Sequence, residues 1–449
     1  MNALMVQGTS SWAGKSLLAT ALARILKRAG VAVAPFKAQN MSNNARVVAG
    51  GEIGTAQYLQ ALAAGVEPDV RMNPVLVKPE GDMRSQVVLD GRPEPELSGL
   101  DWRKRPSHLW PAIERAYRSL AAEYELILIE GAGSPAEINL LDTDLANMRV
   151  AELADARVLL VADVNRGGAF AHLYGTWALV EDPHRERIGG FVLNKFRGDP
   201  ELIAPGPQLL EGLTGVPTLG VVPWLEHGLP DEDGVAVRPR QGRRRVAIVR
   251  YPTASNLDEF KRLEQVVDIV WSGAPAALDG ADLVVLPGSK NVERDLDWLR
   301  SSGLADAVVA RAAVGRPVLA ICGGLQMLGS TLGGVAGLGL LPLATTYEPD
   351  KLTREIHVRL DRLPPAWSSL EGLELDGYEI RHGSVAGGET VFAAGSVLGF
   401  TFHGAFENET FVERLFGART RSLEFAIDAL ADAVAEHLDV GRMLPVAAR

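Results

Sequence analysis

A single cysteine, Cys322, stands in 449 residues. That excludes a disulfide framework within the chain and any zinc cluster built on cysteine. Long apolar runs are missing as well. None reaches the roughly 18 residues that a membrane-spanning helix needs, and the opening MNALMVQGTSSWAGKS lacks the charged segment and long apolar core of a secretory leader. Positive charge is in deficit: 45 Lys+Arg against 56 Asp+Glu leave a formal net charge of -11. A chain of this sign has no global field for nucleic acid or for an anionic membrane. Any anionic ligand must be held by local donors. The expectation from these absences is a cytoplasmic protein with no nucleic-acid and no membrane partner.

What is there is an ordinary globular composition, 47% hydrophobic and 22% charged, long enough for two or three domains. Strands are expected at 4–7, 31–36, 126–130, 158–163 and 191–194. Between the first two, Leu18, Leu22, Ile25 and Leu26 recur at helical spacing over 15–29, and Gly30 stands where a helix stop belongs. Strand–helix–strand repetition predicts a parallel sheet covered on both faces. Around 223–245 the periodicity breaks into Pro, Gly and charge of both signs, which reads as a linker. A second α/β pattern follows, with strands at 246–250, 283–286, 318–321 and 398–402. A closing helix is expected over 422–438, with Leu423, Phe425, Ile427 and Leu430 on its apolar side. Residues 45–50 and 79–105 read as loops. The expected division is a domain over 1–223, a linker over 224–245 and a second domain over 246–440.

The first strand runs into Gly8-Thr9-Ser10-Ser11-Trp12-Ala13-Gly14-Lys15-Ser16 and then a helix. Five residues separate the two glycines, one more than in the usual phosphate loop, but the physics is the same. Glycines let backbone N–H groups curl around a phosphate, the helix N-terminus adds its dipole, and Lys15 adds a point charge. Gly8, Thr9, Gly14, Lys15 and Ser16 are therefore the nucleotide-binding candidates. The Ser16 hydroxyl suits Mg²⁺. Glu130, at the end of Leu126-Ile127-Leu128-Ile129-Glu130, stands where a carboxylate partner of that ion belongs. Glu52 is either a further Mg²⁺ contact or a loop carboxylate. Asn194, at the end of Phe191-Val192-Leu193-Asn194, offers a donor and an acceptor to a purine edge. The acid that a guanine reader wants at position 197 is replaced by Arg197, so ATP is expected over GTP.

Val318-Leu319-Ala320-Ile321-Cys322-Gly323-Gly324-Leu325-Gln326 reads as strand, sharp turn, helix. Such an elbow presents the side chain at the strand end, with the next N–H ready for an oxyanion. The helix N-terminus also favours thiolate. His403 ends another apolar strand and is the candidate base. Gly288, in the turn Leu286-Pro287-Gly288-Ser289, and Gly323 are the oxyanion-hole candidates. The other seven histidines read as structural or solvated.

The Cys-Gly-Gly-Leu-Gln elbow, the Leu-Pro-Gly-Ser turn and the late histidine resemble a class I glutamine amidotransferase domain. The front half resembles the dethiobiotin-synthetase-like branch of P-loop ATPases. Joined to Phe36-Lys37-Ala38-Gln39-Asn40-Met41, Met72-Asn73-Pro74, Glu130-Gly131-Ala132-Gly133 and Asn194-Lys195-Phe196-Arg197-Gly198-Asp199, these motifs resemble the cobyric acid synthase family of cobalamin biosynthesis over nearly the whole chain. The resemblance implies a P-loop ATPase domain followed by an amidotransferase-like α/β domain. It implies corrinoid, glutamine and ATP as substrates, and amidation of the b, d, e and g carboxylates of adenosylcobyrinic acid a,c-diamide. The competing readings are an enzyme of the same build acting on another acid, such as a cobyrinic acid a,c-diamide synthase, and a P-loop switch ATPase carrying a non-catalytic amidotransferase-like module. In the wider amidotransferase pattern a Glu two residues after the His orients it. Here that position is Ala405, and Glu407 is the nearest candidate. Lys37, Lys78, Arg46 and Arg84 are expected to be solvated surface charges.

Overall fold

The computed structural model describes residues 2–81, 84–230, 243–385 and 388–443. Two parallel sheets organise it. In the first, the strand Ala3–Gly8 lies between Leu126–Glu130 and Arg157–Asp163. Val33–Phe36 extends one side; Ile188–Phe196 and then Thr218–Pro223 extend the other. Strands covered on both faces read as continuous apolar runs, and all five residues of Leu126–Glu130 are buried. The edge strand Thr218–Pro223 was not anticipated, because its Gly and flanking prolines interrupt the pattern.

The second sheet has the order Asp268–Ser272, Arg245–Val249, Leu283–Leu286, Val318–Ile321, Val397–Phe400 and Val391–Ala394. Only the last of these pairs antiparallel. A long antiparallel ribbon, Ala344–Arg359 with Glu374–Val385, stands beside it. In both sheets consecutive strands end on one edge, which is where ligand crevices form in open α/β folds.

Three expectations need correction. Residues 45–50 are not a plain loop: Ala45–Val48 pairs antiparallel with Gly51–Gly54. Ala49 and Gly50 form its two-residue turn, with Gly50 at φ 92°. Residues 79–105 carry much of an antiparallel ribbon, Val75–Gly81 with Arg84–Leu89 and Arg92–Pro93, and then the helix Pro95–Gly99. The closing helix is also shorter and elsewhere than expected. Leu423–Ala435 lies against the first domain's helix Lys15–Arg28, with Ile427, Leu430 and Val434 packed among Leu18, Leu22 and Leu26. Arg24 bonds Glu424 at 2.7 Å and Asp428 at 2.9 Å, but those partners are exposed and such pairs contribute about 0–1 kcal/mol. Burial of each large apolar side chain is worth roughly 1.5–3 kcal/mol, so the apolar face decides where this helix goes. Phe425, expected on that face, is half exposed. Of the expected linker, residues 231–242 lie outside the described residues, whereas Leu229 is buried in the first domain's core. No helix among the described residues is long and apolar enough to cross a membrane.

Candidate active sites

The phosphate loop joins Ala3–Gly8 to the helix Lys15–Arg28. Thr9 N–H donates to the Val161 carbonyl at 2.9 Å, fixing the loop's first residue to the neighbouring strand. Lys15 Nζ bonds the carbonyls of Ser10 at 3.1 Å and Gly133 at 3.2 Å, so its charge sits inside the loop. Gly8 is required here: a Cβ would lie 2.8 Å from the Ser10 carbonyl oxygen and 3.1 Å from Lys15 Nζ. Gly14 holds φ 98° at the helix start, a conformation that glycine alone adopts without strain.

Ser16 Oγ donates to Glu130 Oε1 at 2.8 Å. Glu130 is fully buried and also takes Lys37 Nζ at 2.8 Å and Gln60 Nε2 at 2.5 Å. No group of three His, Cys, Asp or Glu side chains among the described residues could hold a metal by itself. One hydroxyl and one carboxylate are nevertheless hard oxygen donors. They fit Mg²⁺, which keeps most of its shell for water and phosphate. Asn194 Nδ2 donates to the Ala13 carbonyl at 2.8 Å and in this geometry braces the phosphate loop. Lys195 Nζ does the same for Trp12, bonding its carbonyl at 2.5 Å.

In the second domain three neighbouring strand ends converge. Val318–Ile321 delivers Cys322, which adopts φ 51°, ψ -108° before the helix Gly323–Leu328. A non-glycine residue there is strained, which fits an elbow. The glycines after it permit close approach: a Cβ on Gly324 would lie 2.3 Å from the Leu286 carbonyl oxygen, and one on Gly323 2.8 Å from Ser289 N. His403 follows the adjacent parallel strand, Val397–Phe400. A Cβ on Gly288 would stand 2.6 Å from His403 Cε1. Cys322, His403, Gly288 and Gly323, which are far apart in sequence, are thus brought together.

His403 Nδ1 bonds Glu259 Oε1 at 2.9 Å, and the other Glu259 oxygen accepts the Gly404 N–H at 3.1 Å. Glu259 is the orienter that the sequence reading missed. Glu407, the candidate, instead pairs with Arg46. The available signal was Asn256-Leu257-Asp258-Glu259-Phe260: two acids beside a Phe that the structure buries completely, shortly after the domain's first strand. Burial alone would lower His403, but Cys322 and Glu259 beside it outweigh that and raise it to about 10. Tyr378 adds a stacked ring, with centroids 5.6 Å apart, and exchanges two backbone bonds with His403.

Cys322 and His403 open on a cavity of ≈ 380 Å³ whose wall includes Asn43 and Lys78 of the first domain. Lys78 is buried and bonds Glu52 at 2.5 Å; Lys351 of the second domain takes the other Glu52 oxygen. Burial would raise Glu52, yet these two ammonium groups hold it at about 2. Glu52 therefore sits in an interdomain ion cluster. Lys37, Lys78 and Arg46 are likewise buried and paired, contrary to the expectation of solvated charges. Arg84 is exposed as expected, whereas His382, read as structural, lines the Cys322 cavity.

Comparison with known proteins agrees with this two-part build. Residues 4–229 match a CobQ/CobB/MinD/ParA nucleotide binding domain, and residues 245–417 match a CobB/CobQ-like glutamine amidotransferase domain. The second match ends before the closing helix. Proteins named cobyric acid synthase are similar over almost the full length. One from Variovorax paradoxus (strain S110) is 52% identical, covering 98% of this chain and 98% of its own. One from Polaromonas sp. (strain JS666) is 49% identical, covering 98% and 97%.

Proposed function

Because the chain belongs to the cobyric acid synthase family, we propose that it amidates the b, d, e and g carboxylates of adenosylcobyrinic acid a,c-diamide. It is an ATP-dependent, glutamine-hydrolysing ligase that forms carbon–nitrogen bonds. The substrate reading rests on the relatives similar over nearly the full length, and the observation that carries the coupling of the two sites is the shared cavity: Cys322 and His403 open on walls contributed by Asn43 and Lys78 of the ATP-binding domain. A module serving only as a binding partner has no use for a buried Cys–His–Glu set, which weighs against a switch ATPase.

His403 Nε2 takes the Cys322 proton, and the thiolate attacks the glutamine amide carbon. The oxyanion is met by N–H groups at Gly323, the first residue of its helix, and at Gly288. The imidazolium protonates the departing nitrogen and releases ammonia; water, deprotonated by His403, then hydrolyses the glutamyl thioester. Glu259 holds the imidazole in the tautomer this requires. In the other half a substrate carboxylate attacks the γ-phosphorus of ATP, and ADP leaves. Ammonia then attacks the acyl carbon of that acyl phosphate and displaces inorganic phosphate, leaving the amide. Lys15 and the N–H groups of the loop stabilise charge on the transferring phosphoryl group. Ser16 and Glu130 would hold Mg²⁺, which would supply Lewis-acid neutralisation of the phosphates when bound. Asn194 serves the nucleotide by bracing Ala13.

The test is amidated corrinoid by mass, with glutamine and separately with ammonium. Cys322→Ser loses the glutamine-dependent reaction and keeps the ammonium-dependent one, more so at higher pH, where free ammonia rises. Lys15→Ala loses both. A Cys322→Ser protein fully active with glutamine refutes the assignment.

A further inference from the structure

Arg46 belongs to the strand Ala45–Val48 of the ATP-binding domain, yet the phosphoryl chemistry makes no use of it. Its guanidinium is buried and pairs with Asp258 at 2.7 Å, with Glu407 and with the Tyr378 hydroxyl. All three partners come from the other domain, and all three flank the Cys–His–Glu set. Asp258 precedes Glu259. The Tyr378 ring is stacked on His403. Glu407 ends the turn Ala405–Glu407 just after His403. Two neighbours of Arg46 tighten the same contact: Thr55 Oγ1 donates to Asp258 Oδ2 at 3.2 Å, and Asn44 Oδ1 accepts the Leu257 N–H at 3.1 Å. Asn44 and Thr55 also line the cleft that holds Lys15 and Ser16.

We propose that Arg46 is a positioning residue for glutamine hydrolysis, lent by the ATP-binding domain, and that Thr55 and Asn44 carry the state of the nucleotide cleft to it. The inference rests on the two-site reading above. The segment carrying Glu259 is held from outside its own domain by one cation and two polar side chains. Without Arg46, the buried Asp258 and the part-exposed Glu407 lose their shared cation near Glu259, and like charges close together repel. The segment then shifts, and Glu259 no longer fixes the His403 ring. A displacement of about 1 Å in such a site costs on the order of 10²-fold in rate. Occupation of the cleft moves Thr55 and Asn44 against residues 257 and 258, so the nucleotide biases the same geometry. Any such effect equals the ligand's preference for one arrangement over the other.

The experiment measures steady-state glutaminase activity of the full chain with and without a non-hydrolysable ATP analogue and Mg²⁺, and in parallel ammonium-dependent amidation of the corrinoid. Arg46→Met is expected to lower glutaminase kcat on the order of 10²-fold with KM for glutamine unchanged, while ammonium-dependent amidation survives. Arg46→Lys recovers part of the loss. The analogue changes parental glutaminase kcat; the change persists in Thr55→Ser and vanishes in Thr55→Val. Should Arg46→Met fail to fold, Asp258→Asn is judged by the same measurements. An Arg46→Met protein with parental kcat overturns the proposal, as does parallel loss of both activities in a folded protein or indifference of the parent to the analogue. A parent that hydrolyses no glutamine would instead overturn the two-site reading itself.

Discussion

Burial ordinarily strips a histidine of its proton, because the charged form is the one desolvation penalises. His403 runs the other way. It is buried, but Cys322 on one side and Glu259 on the other raise it to about 10. The sign has a kinetic consequence. The protonated ring is the acid that releases ammonia, so a raised value keeps that acid available well above pH 6.5. Glu259→Gln removes one source of the rise while preserving shape. The alkaline limb of glutamine hydrolysis therefore moves down toward 6.5, and kcat falls by roughly 10²- to 10⁴-fold, the usual worth of positioned acid–base catalysis. A pH–rate profile of the variant against the parent measures both. An unchanged profile would return the orienting role to another residue.

Among elements, the phosphate loop shows how a motif and its setting divide the work. Its glycines and lysine are local features, legible in order along the chain. Its rigidity is not local: Thr9 is tied to Val161, Ala13 to Asn194 and Trp12 to Lys195. Gly14 faces Asn194 so closely that a Cβ would stand 2.1 Å from its Nδ2. Gly14→Ala therefore meets a clash and a forbidden φ together. It is expected to weaken nucleotide binding by tenfold or more, about 1.4 kcal/mol, while glutaminase activity stays near parental. Calorimetric titration with ATP and a glutaminase assay separate the two, and parental affinity would show that the loop tolerates the shift.

At the scale of the whole molecule, the last long helix does not pack on the second sheet. The closing helix Leu423–Ala435 returns to the first domain and packs on the helix that follows the phosphate loop. The two halves are thus fastened twice, by this helix and by the buried charges around Arg46 and Glu52. Ile427→Ala, at a fully buried position, should cost about 2–5 kcal/mol. The loss should appear in the unfolding of the first domain. Urea denaturation followed by ATP-dependent activity and by glutaminase activity tests this: the synthetase half should fail at lower urea than the glutaminase half. Coincident failure would mean that the helix stabilises both domains equally.

The sequence by itself determined the two α/β patterns, the phosphate loop with Lys15 and Ser16, the carboxylate at Glu130, and the pairing of Cys322 with His403. Each is written in short range, as a strand with a turn of particular residues at its end, and parallel strands bring such ends to one edge whatever the intervening chain does. Only the tertiary structure decided what lies beside those residues. Glu259 reaches His403 across 144 positions, and Asn194 turned out to brace Ala13. Arg46, Lys37 and Lys78 proved buried because carboxylates brought from far along the chain, some of them in the other domain, compensate their charge. The closing helix changed allegiance because its apolar face fits Leu18, Leu22 and Leu26. A charge or an apolar stripe states in sequence what it needs. Which distant partner meets that need is fixed only when packing puts the candidates within reach.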